Sequence, residues 1–156
     1  MITVTVSSRI KAPREACFDL ARSVDDHVES MSGTNERVVG GKLAGLLGLN
    51  DTMTLEARHF GLRFRLTAKI TELDRPHMFV DEMVEGPFKS LHHVHEFEQV
   101  GSDTLINDTM KIEAPLGILG LIAERLFLRT KFERILKTRH AHIRQKLETK
   151  PSSLRS

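Results

Sequence analysis

The chain has 156 residues, 40% of them hydrophobic, with a formal net charge of +2, eight histidines and a single cysteine, Cys17. That length supports one core and is short for two. One cysteine excludes an internal disulfide and any multi-cysteine zinc site, and the small net charge argues against nucleic acid as a partner. No apolar run reaches the roughly 18 residues of a membrane span.

No basic region followed by a long apolar run opens the sequence, so a reducing, cytoplasmic setting is expected. Residues 2–10 alternate instead, with Ile2, Val4, Val6 and Ile10 against Thr3, Thr5 and Arg9, the pattern of a strand with one buried face. Pro13 suits the first turn of a short helix through Arg22. Ser23, with Asp25 and Asp26 behind it, caps a second short helix to about Met31. Glu36–Val39 reads as a brief strand. Residues 40–49 mix four glycines with four leucines, too glycine-rich for a helix and too apolar for a solvated loop. Its leucines either fold onto the core or form a mobile lid over a cavity.

Strands follow at 53–59 and 62–70. A two-residue turn at Phe60-Gly61 pairs Ala57 with Phe64 and Leu55 with Leu66, so the apolar faces agree. Further strands at 78–85, 91–98 and 104–113 bring the count to about seven. From Leu116 to about Glu148 runs one long helix, on the order of 45 Å, apolar nearly all round at first and amphipathic later. Phe132, Ile135, Leu136, Ile143 and Leu147 share one side of its second half, and Arg134, Lys137, Arg139, Arg144 and Lys146 take the other. The expected class is α+β, a bent antiparallel sheet gripping the terminal helix, with residues 1–150 as one domain and 151–156 as a disordered tail.

This order resembles the helix-grip fold of the SRPBCC superfamily, which includes START lipid-transfer and polyketide cyclase-like proteins. Within it, Ile10-Lys11-Ala12-Pro13 with Phe18, Phe79-Val80-Asp81-Glu82 leading to Gly86-Pro87-Phe88, His93-Val94-His95-Glu96-Phe97, Thr104 with Asp108, and Ala114-Pro115-Leu116-Gly117 are similar to a bacterial ligand-binding group. The resemblance implies a cavity for an apolar small molecule such as a lipid, quinone or polyketide, between sheet and helix. Fold alone selects neither ligand nor chemistry. Cavity-lining candidates are Leu46 in the glycine-leucine loop, Leu55, Phe64, Leu66 and Met83 on strands, Phe97 and Met110 on later strands, and Leu119, Ile122 and Leu126 on the helix.

The period of two places Leu91, His93, His95 and Phe97 on one inward face. A Gly101-Ser102 turn pairs His95 with Asp108 and His93 with Met110, while a slip of two would set Asp108 opposite His93. Alternation leaves open whether Asp81 or Glu82 faces inward. Four roles compete for His93, His95, Asp108 and Asp81: a satisfied polar patch, orientation of a ligand's polar end, acid/base chemistry of a cyclase or dehydratase kind, and a two-histidine, one-carboxylate metal triad. No cofactor or metal is expected, since histidines at i and i+2 are ordinary strand alternation. His92, His140 and His142 read as solvated, and Cys17 as a core filler. The basic helix face is either a solvated outer surface or a docking face for an anionic membrane or an acidic protein.

Overall fold

The computed structural model describes residues 1–59, 61–115 and 121–148. Among these, seven strands form one antiparallel sheet and three helices pack on it. The elements are β1 (Ile2–Ile10), α1 (Arg14–Ala21), α2 (Val24–Ser30), β2 (Arg37–Gly41), β3 (Thr52–His59), β4 (Leu62–Asp74), β5 (Met78–Glu85), β6 (Ser90–Val100), β7 (Asp103–Glu113) and α3 (Leu121–Glu148). The expected start of the long helix at Leu116, and the tail from 151, lie outside the described residues.

Strand order is β1-β7-β6-β5-β4-β3-β2, so each strand from β2 to β7 neighbours the next in sequence, and β1 closes on β7. Hairpin turn chemistry fixes the register. Gly101, at φ +62°, opens the β6–β7 turn in the left-handed region that the first residue of a type II′ turn requires. Phe97 then faces Ile106, His95 faces Asp108, and His93 faces Met110. In the β3–β4 hairpin Ala57 faces Phe64 and Leu55 faces Leu66. β4 runs four residues beyond the predicted Ile70, through register shifts against β5 between Thr67 and Ala68 and between Ile70 and Glu72. Such bulges bend the sheet around whatever it encloses.

The first turn of α2 is fixed by Ser23, whose hydroxyl accepts from the Asp26 amide at 3.2 Å. The glycine-leucine loop is tied back onto the helices: Val24 N–H donates to Gly45 O and Leu47 N–H to Arg22 O, both at 2.9 Å. Of its leucines Leu47 is buried, while Leu43, Leu46 and Leu49 face outward. This pinned segment therefore carries one leucine into the core instead of a lid of four.

α3 packs across β1 and against α1 and α2. Two apolar clusters form on the inner face of the sheet. Phe18 anchors one, edge-to-face with Phe79 and Phe97 at centroid distances of 5.4 and 5.2 Å. Ile2, Val4, Leu91, Ile112 and Leu136 anchor the other. The inward row of β6 runs from Leu91 in one cluster to Phe97 in the other, and the two residues between them are His93 and His95.

Candidate functional site

A cavity of about 720 Å³ opens between the sheet and α3. Leu55, Phe64, Leu66 and Ala68 from the β3–β4 hairpin form one wall, and Phe132, Ile135 and Leu136 of α3 face them. The sheet has to curve for both walls to face a common space. Of its polar lining, His27, Glu36, Asp81, His93, His95 and Arg139 lie near enough to form one electrostatically interacting group, while Asp51, Arg65, Lys131 and Arg134 line it as well.

Three adjacent strands build the aspartate and histidine cluster. Asp81 on β5 is the register partner of His93 on β6, and His95 on β6 that of Asp108 on β7. Asp81, not Glu82, faces inward; Glu82 lies on the opposite face, 3.8 Å from His92. His95 Nε2 lies 2.7 Å from Asp81 Oδ2, and His95 Nδ1 lies 2.8 Å from Asp108 Oδ1 in a contact out of line for a hydrogen bond. His93 sits farther out, its Nδ1 3.6 Å from Asp81 Oδ2 and its Nε2 3.5 Å from Asp108 Oδ1. The His95 ring stacks on Phe79 at 4.0 Å and 18°.

His140 of α3 completes the arrangement. Its Nε2 is 2.7 Å from Asp108 Oδ2 and its Nδ1 2.7 Å from the Ser8 hydroxyl on β1. The expectation of a solvated His140 is thus corrected: it is 2% exposed. Helical spacing carries the reason, because position 140 is four after Leu136 and three before Ile143, on the apolar stripe itself. The same stripe takes in Arg139, which the charge pattern alone assigns to the solvated face; its guanidinium lines the cavity and donates to the Ala21 carbonyl at 2.9 Å. Among the described residues no carboxylate forms an ion pair with it. His142 is also half-buried, 3.1 Å from Asp26.

Charge within the cluster follows from burial and neighbours. Burial alone would lower the His95 imidazole, but the carboxylates of Asp108 and Asp81 outweigh it and lift its pKa to about 9. His93, which burial and the charge on His95 both push down, is held below its ordinary value. Burial and Arg139 hold His27 well below its ordinary value. Burial opposes ionisation of Asp108, yet His95, His140 and His93 together keep its carboxyl well below the usual carboxylate range. At neutral pH the pair on β6 is therefore one imidazolium, His95, beside one neutral imidazole, His93.

The sequence-derived candidates separate in space. Leu55, Phe64, Leu66, Asp81, His93, His95 and Met110 line the cavity. Asp108 lies behind the two histidines, and Phe97 packs on Phe18 in the core. Met83 packs against the cluster around Leu91. Leu46 is 41% exposed on the outer side of its loop, and Leu47 takes the inward place; Leu126 is 61% exposed. Leu119 lies outside the described residues, as does the side chain of Ile122. His27, Glu36 and Arg139 line the cavity without being sequence-derived candidates, because a polar residue on an apolar stripe is visible only once the stripe's facing wall is known. Among the described residues, two groups present converging metal-ligand atoms within 4.8 Å of one another: Asp81, His93 and His95 inside, and Asp26, Glu29 and His142 at the surface.

No family model and no curated protein matches the chain. Solved structures do. The chain is similar to TTHA0849 from Thermus thermophilus at 20% identity and a TM-score of 0.70, over 90% of this chain and 96% of that one. It is similar to a START superfamily protein from Mycobacterium smegmatis at 10% identity and a TM-score of 0.69, over 94% and 97%. It is also similar to ginseng major latex-like protein 151 from Panax ginseng at 15% identity and a TM-score of 0.66, over 93% and 96%. The chain has the helix-grip fold, as the resemblance to the SRPBCC superfamily implied.

Proposed function

We propose that this helix-grip chain binds an amphipathic small molecule, with an apolar body of lipid, quinone or polyketide kind, between its sheet and α3. The cavity carries this reading. Its volume of about 720 Å³ falls within the roughly 300–1,000 Å³ of small-molecule sites. Apolar walls with one cluster of interacting polar groups match a ligand that is apolar along its length and polar at its tip. Arg139 supplies a recognition element there: its half-buried guanidinium donates to the Ala21 carbonyl and, among the described residues, forms no close ion pair, although Asp108, Asp81 and Glu36 attract it from farther away, and it favours an acceptor-bearing or anionic head. Native mass spectrometry of freshly purified protein tests the proposal. A co-purifying apolar compound supports it, while failure to take up any long-chain probe would end it.

An enzymatic reading of cyclase or dehydratase kind draws on His93. His95 spends both ring nitrogens on Asp81 and Asp108, whereas His93 Nδ1 faces Asp81 across 3.6 Å at the cavity wall and its ring is held neutral. A general base is better served by His93 than by His95.

Delivery to or from an anionic membrane is supported by the rim. Phe64 and Phe127 line the cavity while being 37% and 58% exposed, which marks the mouth, and Leu126 beside it is 61% exposed. Arg134 lies on the same stretch of α3 and also lines the cavity. The remainder of the predicted basic face is engaged elsewhere: Lys137 pairs with Glu133 at 2.6 Å, and Arg144 donates to the Arg9 carbonyl at 3.2 Å. No helix among the described residues is long and apolar enough to cross a membrane.

A further inference from the structure

We propose that Asp81, His93 and His95 form a binding site for one first-row divalent transition-metal ion on the floor of the cavity. Three observations converge on it. First, the donor atoms face one another, with His95 Nε2 2.7 Å and His93 Nδ1 3.6 Å from Asp81 Oδ2, and all three within 4.8 Å. Two donors each about 2.0–2.2 Å from an ion stand about 3–3.5 Å apart at tetrahedral or octahedral angles, so the spacing suits an ion once the two imidazoles, now with centroids 3.7 Å apart and planes tilted by 38°, rotate to converge their lone pairs. The proton now shared between His95 and Asp81 is what an ion displaces.

Second, the far nitrogens of both imidazoles turn toward one carboxylate. Asp108 Oδ1 lies 2.8 Å from His95 Nδ1 and 3.5 Å from His93 Nε2. A carboxylate behind metal-ligating histidines fixes their tautomers and aims their inner nitrogens at the ion. Asp108 is itself held by His140, which Ser8 holds in turn.

Third, His93 Nε2 and Asp108 Oδ1 are buried without an aligned hydrogen bond. Both atoms are accounted for once His93 binds an ion through Nδ1 and donates from Nε2 to Asp108. Asp81 and Asp108 together bring two negative charges toward a divalent cation, against the one positive charge of Arg139 nearby. Two imidazoles with one carboxylate suit zinc, iron, cobalt or nickel and not magnesium or calcium, which take oxygen ligands. Protein supplies three ligands, so the remaining positions open into the cavity, where an ion would meet the polar end of any ligand. This site stands whether or not the cavity carries an apolar ligand.

The test uses the full chain, freed of any affinity tag and stripped of metal, titrated with Co²⁺. One equivalent should bind with visible d–d absorption, and Zn²⁺ should abolish the band. Asp81→Asn and His93→Ala should each lose it, and Asp108→Asn should weaken Co²⁺ binding about 10–100-fold. His142→Gln, in the surface group with Asp26 and Glu29, should leave it unchanged. Circular dichroism confirms that each variant is folded. No band in the wild-type protein, or a band that survives Asp81→Asn and disappears in His142→Gln, overturns the proposal.

Discussion

His140 on α3 and Asp108 on β7 meet at 2.7 Å across the buried interface between helix and sheet, with Ser8 of β1 on the far side of the imidazole. This contact is a buried polar tie between the terminal helix and the sheet it spans, beside the exposed hydrogen bonds from Arg129 and Arg144 to the Thr3 and Arg9 carbonyls of β1. His140→Ala strands a buried carboxylate oxygen and the Ser8 hydroxyl, and a cost of about 3 kcal/mol is expected. Urea denaturation measures it. A loss below about 0.5 kcal/mol would mean that apolar packing of Leu136 and Ile143, with the exposed Arg129 and Arg144 hydrogen bonds to β1, holds α3 in place without the buried tie.

Stability should peak near neutral pH. His95 has its pKa raised to about 9, so its contribution is complete below the unfolded value near 6.5 and is lost as pH climbs through 9. His93 and His27 are depressed, so theirs is present above about 6.5 and lost as pH falls below it. Asp108 and Asp81 add stability that is present above about 4 and lost as pH falls through their lowered folded values. Urea midpoints between pH 5 and 9.5 should fall on both sides of neutrality. His95→Gln should flatten the alkaline side and also alter the acid side, because the His95 charge helps to lower His93, Asp81 and Asp108; an unchanged alkaline slope in that variant would show that another group governs it.

Strand positions and the inward face of β6 were legible in the sequence because a period of two fixes the face, whereas the register stayed open to a slip of two that only the turn geometry decides. Gly101 in that turn selects the pairing of His95 with Asp108. Polar residues on α3 were not legible by the same route. His140 and Arg139 sit at the right helical spacing, but a histidine or arginine at an apolar position is assigned outward by its chemistry until Asp108, Ser8 and the Ala21 carbonyl appear opposite. Leu46 and Leu47 were indistinguishable in a loop without period. Backbone hydrogen bonds to α1 and α2 choose between them.

Filling the cavity should abolish binding without unfolding the chain. Ala68 lines the space from β4, and Ala68→Phe projects a ring into it. Affinity for a fluorescent long-chain fatty acid should drop at least about tenfold, roughly 1.4 kcal/mol, with an unchanged thermal midpoint. Equal binding by both proteins would place the probe elsewhere on the surface.

Vesicle association should depend on the exposed rim more than on the basic face as a whole. Leu126→Ser with Phe127→Ser is expected to remove most binding to anionic vesicles, and Arg134→Gln to weaken it in a salt-sensitive way. Lys137→Gln should do little, since Lys137 is already paired with Glu133. Co-sedimentation with neutral and anionic vesicles measures this. Indifference to the Leu126/Phe127 double change would remove the mouth from any membrane-facing role.

Arg139 and His95 should separate ligand orientation from proton transfer. Arg139 reaches the cavity with a guanidinium that has one backbone acceptor, whereas both His95 nitrogens face carboxylates. Arg139→Met keeps an unbranched side chain on the helix and removes the charge. If the guanidinium receives an anionic head, a fluorescent fatty acid should bind about ten- to a hundredfold more weakly, the ~1.5–3 kcal/mol of a hydrogen bond to a charged group. The matching fatty alcohol should lose much less. His95→Gln should leave the alcohol little changed and weaken the acid, because it removes the imidazolium that neutralises Asp81 in the cavity lining and Asp108 behind it. Equal weakening of acid and alcohol by Arg139→Met would instead mean that packing was lost, and that the polar cluster does not select charge. Any co-purified compound then decides the chemistry. Were it converted by the wild type, and the rate cut about 10²- to 10⁴-fold in His93→Gln with binding intact, the site would be an acid/base catalyst and His93 its base. Binding without conversion leaves His93, His95 and the two aspartates as the polar floor of a carrier.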